Sequence, residues 1–188
     1  MRFKEDLASY CCLALLIVVL LFTLEASAGE IFETEQLSIL VPEGWEVVEE
    51  QSQPPFEEVV FLFPGGRVPT MEENVEEFIT NVNIIIEQLP QEVEMEEYKQ
   101  FTIQQMDNML DDFEILKEEE IELSGHPGLW IDYSGLFVQE GLEEELAWRQ
   151  KFTIIDDMAY IITYTSRQDL FDNHLEQLTE LAEGMTIK

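Results

Sequence analysis

Residues 146–165, LAWRQKFTIIDDMAYIITYT, hold an alternating run, Leu146–Ile155, before the pair Asp156-Asp157 and a second extended run, Met158–Thr165, after it. In an extended chain Leu146, Trp148, Phe152 and Ile154 fall on one face, while Arg149, Lys151 and Thr153 fall on the other. That period of two marks a strand with a buried face. Two extended runs across a short turn predict an antiparallel hairpin, Leu146–Ile155 with Met158–Thr165.

Working upstream, Ile115–Leu123 and Leu129–Phe137 read as a second hairpin, linked through Ser124-Gly125-His126-Pro127-Gly128. Before it the period lengthens. From Glu94 to Asp112 the residues Tyr98, Phe101, Met106, Met109 and Phe113 recur at helical steps between acidic flanks, which predicts an amphipathic helix. Further back, Leu37–Val41, Trp45–Val48 and Val59–Phe63 read as strands, punctuated by Pro42-Glu43-Gly44 and Pro64-Gly65-Gly66. The stretch Phe78–Ile86 sets Val82, Ile84 and Ile86 on one face. Downstream, Ser166 as N-cap with Asp169 three residues on predicts a closing helix, whose buried stripe is Phe171, Leu175, Leu178, Leu181 and Met185 and whose end is Gly184. No repeat or linker divides these elements. One α+β domain follows, an antiparallel sheet with helices packed on it.

The first 28 residues have a different character. Arg2 and Lys4 precede an apolar run from Tyr10 to Leu24, and Ala26-Ser27-Ala28 supplies small residues at the end. This is the pattern of a secretory signal peptide cleaved after Ala28, leaving residues 29–188 as a single domain acting in a periplasm, a thylakoid lumen or the medium. The apolar run is short of the roughly 20 residues that a spanning helix needs. Cys11 and Cys12 stand before the run rather than after it, so they read as ordinary members of it and leave with the leader. The mature chain then forms no disulfide and no thiolate metal site.

The 188 residues carry 9 Lys and Arg against 41 Asp and Glu, a formal net charge of −32. The leader holds two of the basic and three of the acidic residues, which leaves 7 against 38, or −31. Nucleic acid is excluded as a main partner, because it is bound by neutralising phosphate. A surface adapted to high salt, where charge repulsion is screened, accounts for the excess better than a cation site does, since the acids are dispersed. Hydrophobic residues still make up 46% of the chain, enough for a packed core rather than disorder.

The order SILVPEGWEVV (38–48), NVNIIIEQLP (81–90), a helix, EIELSGHPGLWIDYSG (120–135), LAWRQKFTIIDDMAYIITYTS (146–166) and a last amphipathic helix resembles the PsbP-like family. That family includes the extrinsic photosystem II proteins and DcrB. The resemblance implies an α/β/α sandwich around a central antiparallel sheet, and a non-catalytic accessory or binding role outside the cytoplasm. A membrane complex such as photosystem II, or an envelope assembly, is the kind of protein partner it implies. The residues that carry it shape turns and hairpins, so they specify a fold rather than a reaction. Lipidated relatives have a cysteine at the end of the apolar run, and this chain has none there.

Chemistry is sparse. No G-x-S-x-G, H-E-x-x-H, C-x-x-C or EF-hand loop occurs, and Gly65-Gly66 lacks the Lys-Ser/Thr of a phosphate loop. His126 and His174 stand without a partner motif. Neither a catalytic residue nor a cofactor or metal ligand is expected. The runs Glu118-Glu119-Glu120 and Glu143-Glu144-Glu145 suit at most loose divalent-cation binding, the basis of an alternative function as a cation or small-ligand binder. Trp45, Trp130 and Trp148 sit at strand spacing and are expected in the core. Arg149 and Lys151 are the close basic pair of the mature chain, opposite Trp148 and Phe152. They either pair with nearby carboxylates or contact a partner.

Overall fold

The computed structural model describes residues 23–24, 29, 31–50, 55–64, 79–139 and 142–188. The expected signal peptide and its cleavage point after Ala28, Cys11, Cys12, Gly65-Gly66 and Phe78 lie outside the described residues. Eleven strands and two α-helices are present among the described residues. The strands are β1 (Thr23–Leu24), β2 (Ile31–Glu33), β3 (Leu37–Leu40), β4 (Glu46–Glu50), β5 (Phe56–Phe63), β6 (Asn81–Gln88), β7 (Asp111–Leu123), β8 (His126–Gln139), β9 (Leu142–Ile155), β10 (Met158–Arg167) and β11 (Thr186–Ile187). The helices are α1 (Met95–Met109) and α2 (Leu175–Glu183), the second preceded by a 3-10 helix, Gln168–His174.

Eight strands form one antiparallel sheet in the order β1-β4-β5-β6-β10-β9-β8-β7, and β11-β3-β2 form a second, smaller one. The hairpins expected from alternation are present. Ile155 faces Met158 across Asp156-Asp157, and Leu123 faces His126 across Ser124-Gly125. The second turn is tighter than the sequence suggested. Ser124 and Gly125 both have positive φ, the two-residue geometry that matches strand twist, so His126, Pro127 and Gly128 already belong to β8. Gly128 is needed for a separate reason: a Cβ there would stand 2.7 Å from the carbonyl oxygen of Phe152 on β9.

Each face of the large sheet carries its own core. Under α1 lie Val59, Ile85, Ile131, Tyr133, Trp148, Phe152 and Ile161, with Tyr98 and Met106 from the helix. Tyr133 stacks on Trp148 at 5.4 Å, and Tyr98 tilts against Phe152 at 5.2 Å. The opposite face joins Val60, Leu62, Ile84, Ile162 and Tyr164 to Trp45, to Leu37 and Ile39 of the small sheet, and to Leu178 and Leu181 of α2. Side chains of this size, fully withdrawn from water, contribute about 1.5–3 kcal/mol each before ordering costs. The expected α/β/α sandwich with a central antiparallel sheet is therefore the fold, with the small sheet sharing the layer of α2.

Two local expectations are corrected. The first helix ends at Met109, and Leu110 and Asp112 leave the helical region, Asp112 at φ 54°. Phe113 therefore belongs to β7, where its ring meets Tyr133 at 5.8 Å. The buried side of α1 is Tyr98, Lys99, Thr102, Gln105 and Met106; the five-residue step from Phe101 to Met106 spans more than one helical turn. Ser166 is not an N-cap. Strand pairing continues past it, with Ser166 opposite Ala147 and Arg167 opposite Leu146, and its hydroxyl shares a 3.0 Å hydrogen bond with Thr80. The 3-10 helix intervenes, so Phe171 reaches the core ahead of α2 and packs on Tyr164 at 5.3 Å.

Candidate functional site

The two cores are offset along the sheet. On the face of α2, the central strands β6 and β10 are covered, while the even-numbered residues of β8 and the odd-numbered ones of β9 carry polar groups toward the β7 edge. Alternation puts Trp130 and Asp132 of β8 on that face. Register sets Trp130 opposite Lys151 and Asp132 opposite Arg149, with Lys117 of β7 opposite Asp132. Five side chains from three neighbouring strands thus converge where the sequence showed only a basic pair.

Asp132 organises the group. Arg149 donates to it through Nε at 2.9 Å and Nη2 at 2.8 Å, and the indole Nε1 of Trp130 donates to the same carboxylate. Both members of the ion pair are buried, Arg149 at 9% and Asp132 at 6% exposure. A two-pronged pair of this kind fixes geometry as well as charge. The half-buried Trp130 ring then gathers cations: Lys117 Nζ lies 3.6 Å from its centroid, Arg149 Cζ 4.1 Å and Lys151 Nζ 4.7 Å. Such contacts contribute about 0.5–2 kcal/mol each, more as water is excluded. Lys117, at the outer edge, also meets Glu119 at 2.6 Å. Burial, and next the neighbouring Arg149 charge, hold the Lys151 ammonium below the ordinary lysine range.

Arg149 and Lys151 do lie opposite Trp148 and Phe152, as alternation requires. They are not displayed on an open strand face, however: each is more than nine-tenths buried. Of the two, Arg149 pairs with a carboxylate, Asp132, and Lys151 has no ion pair among the described residues. Trp45 and Trp148 are core residues, each 2% exposed. Trp130 departs from the expectation for its class. One local signal was present, the spacing Trp130-x-Asp132, which puts both side chains on one face of β8; their pairing with Lys151 and Arg149 follows from the β8–β9 register that starts at Gln139 opposite Leu142.

The remaining candidates are accounted for by structure. His174 bonds Gln177 at 2.9 Å and meets the Trp45 ring edge-on at 6.0 Å, while His126 opens β8 beside the turn. Glu118 and Glu119 point to opposite faces of β7, one to Lys99 at 2.8 Å and the other to Lys117. Among the described residues, no three His, Cys, Asp or Glu side chains gather closely enough to hold a metal ion. No described helix is long and apolar enough to cross a membrane.

Among solved structures the fold is similar to three proteins of diverse origin. PsbP of the cyanobacterium Synechocystis aligns with a TM-score of 0.56 at 14% identity, covering 88% of this chain and 95% of its own. LpqN of Mycobacterium tuberculosis, described as involved in cell envelope biogenesis, gives 0.55 at 13%, covering 90% and 92%. The Ran-binding protein Mog1p of Saccharomyces cerevisiae gives 0.54 at 15%, covering 86% and 96%. At these identities the likeness shows the fold alone. Among curated proteins none matches the sequence. The DcrB family model matches residues 69–183, more than half of the sequence and all of the strands around Trp130, and the chain belongs to the DcrB family.

Proposed function

We propose that this protein is a non-catalytic extracytoplasmic accessory protein that works by contact with another protein, and that the contact face is the patch around Trp130, with Arg149 and Lys151 beneath it and Lys117 at its edge. One observation carries the reading. Of the seven basic residues outside the leader, three converge on a single indole, in a chain whose net charge otherwise repels acidic partners. Local positive charge in a negative field orients an approaching surface, and the half-buried indole adds aromatic contact area.

Membership of the DcrB family supports an accessory role. Two proteins of similar fold point the same way by what they are called, one a Ran-binding protein and the other a participant in cell envelope biogenesis. An envelope assembly is the partner class that suits an exported chain. Export itself is tested by mass spectrometry of protein recovered outside the cytoplasm, where a mature chain beginning at Gly29 is expected and a retained Met1 would refute it.

The contact face is tested by placing a photo-crosslinking residue at Lys117 and, as a control, at exposed Glu176 on α2. In the native host the first position should yield a defined adduct and the second none. The adduct should vanish in Lys117→Glu when the probe is moved to Glu119, with the unfolding curve unchanged. Equal adducts from both positions would refute the assignment.

A further inference from the structure

Charges around Trp130 do not all pair. Lys117, Arg149 and Lys151 bring three positive charges to the ring; Glu119 and Asp132 pair two of them, and the third, Lys151, feels Glu183 without contact. Glu119 takes Lys117 and Asp132 takes Arg149, so the unpaired charge is that of Lys151. That side chain is 8% exposed, yet among the described residues it makes neither an ion pair nor a side-chain hydrogen bond. The π face of Trp130 attracts an ammonium without cancelling its charge. Glu183, the last residue of α2, acts on Lys151 only through its field. In a domain with 38 acidic residues, a buried cation left without a carboxylate is the opposite of what chance pairing gives.

We propose that Lys151 is the receiving group of a carboxylate-binding subsite, with the Trp130 ring as its wall and Lys117 at its rim. The unpaired group is a single ammonium, which one carboxylate suffices to pair. The dianionic form of phosphate would overcompensate it. The guanidinium fork that recognises phosphate by two parallel bonds is already occupied, since Arg149 gives Nε and Nη2 to Asp132. A carboxylate on Lys151 is also charge-assisted in a water-poor setting, where such a bond is strongest. The net negative charge of the chain disfavours anions, and the three cations around Trp130 offset it locally. The inference rests on the Trp130 patch as the contact face and names the group that a ligand or partner brings to it.

Sodium acetate titrated into the 15N-labelled full-length chain at constant ionic strength, with sodium chloride as control, tests the subsite. The reporter is the indole N–H of Trp130, which donates to Asp132 beside the site. Acetate should give a saturable shift of that resonance and chloride none. Affinity should fall at least tenfold in Lys151→Gln and persist within twofold in Lys151→Arg, the variant that keeps the charge should the first fold poorly. Inorganic phosphate should bind no more tightly than acetate. N-acetyl-glutamate N-methylamide separates the sources: tighter binding than acetate indicates a partner's acidic side chain, equal binding a small carboxylate, and either supports the site. Absence of saturation, the same affinity in Lys151→Gln, or phosphate binding tenfold tighter than acetate would overturn the proposal. If acetate fails while the Lys117 crosslink stands, the subsite is wrong and the contact face is not.

Discussion

The two faces of the large sheet treat buried charge in opposite ways. Under α1, Lys99 is held between Glu96 at 2.6 Å and Glu118 at 2.8 Å, which raise its affinity for the proton, and Glu87 accepts a 3.0 Å hydrogen bond from Tyr98. Acid is in surplus there, as in the whole chain. Around Trp130 three cations share two pairing carboxylates, Asp132 and Glu119, and Lys151 is left without an ion pair among the described residues. The first arrangement completes a helix–sheet contact. The second leaves a buried charge unpaired at an energetic cost, the feature on which the proposed contact face rests.

Removing Asp132 should break the comparison most severely. Asp132→Asn leaves Arg149 without its partner and three cations on one ring, so unfolding in urea should show a loss of about 3–5 kcal/mol. Lys99→Met on the other face loses a pair whose acids are 42% and 65% exposed, and should cost no more than about 1 kcal/mol. A double variant, Asp132→Leu with Arg149→Met, should recover most of the loss, because it removes both charges and keeps the volume. Equal losses for Asp132→Asn and Lys99→Met would mean that the two clusters are energetically alike.

Most of the sheet was legible because alternation and turn chemistry are local. The Leu146–Thr165 hairpin needs only its own twenty residues and the two aspartates at its tip. The position of β10 between β6 and β9 is a long-range outcome that no period announces. The same division explains the site. Arg149 and Lys151 could be singled out by their scarcity, and their shared face by parity. Their burial depends on Trp130 and Lys117, which reach them only once β7, β8 and β9 lie side by side. Ser166 misled for the opposite reason: its local capping signal is genuine, but pairing with Ala147 and the bond to Thr80 hold it in the strand.

A smaller effect of opposite sign sharpens the contrast. Lys151→Met removes a buried unpaired charge and keeps the apolar stem, so it should stabilise the protein by about 1–2 kcal/mol at pH 7. The folded-state pKa of Lys151 lies below its unfolded value near 10.5, so between those two values the unfolded chain binds more protons. Stability of the wild type therefore rises with pH through that window. The gap between wild type and Lys151→Met should close as pH approaches 10.5 from below. A destabilised Lys151→Met at pH 7 would place the charge among structural pairs and remove the contrast.

The smallest effect belongs to the other face. Glu87 is 4% exposed, and burial raises its pKa above 4.5 although the Tyr98 hydrogen bond opposes the shift. Between 4.5 and the raised value the folded state keeps a proton that the unfolded state has lost, so this group's contribution is complete below 4.5 and falls as pH rises through its folded pKa. Above its folded pKa both states are ionised and the fold bears the desolvation of a buried carboxylate. Glu87→Gln keeps an acceptor for the Tyr98 hydroxyl and abolishes the charge. It should stabilise the protein by about 1 kcal/mol or less at pH 7, and the advantage should shrink to nothing as the pH is lowered past 4.5. Thermal unfolding of both forms from pH 7 to pH 4 measures it, the difference cancelling the titration of the other carboxylates. An advantage that stays constant across that range would show that Glu87 is held by its packing rather than by its charge.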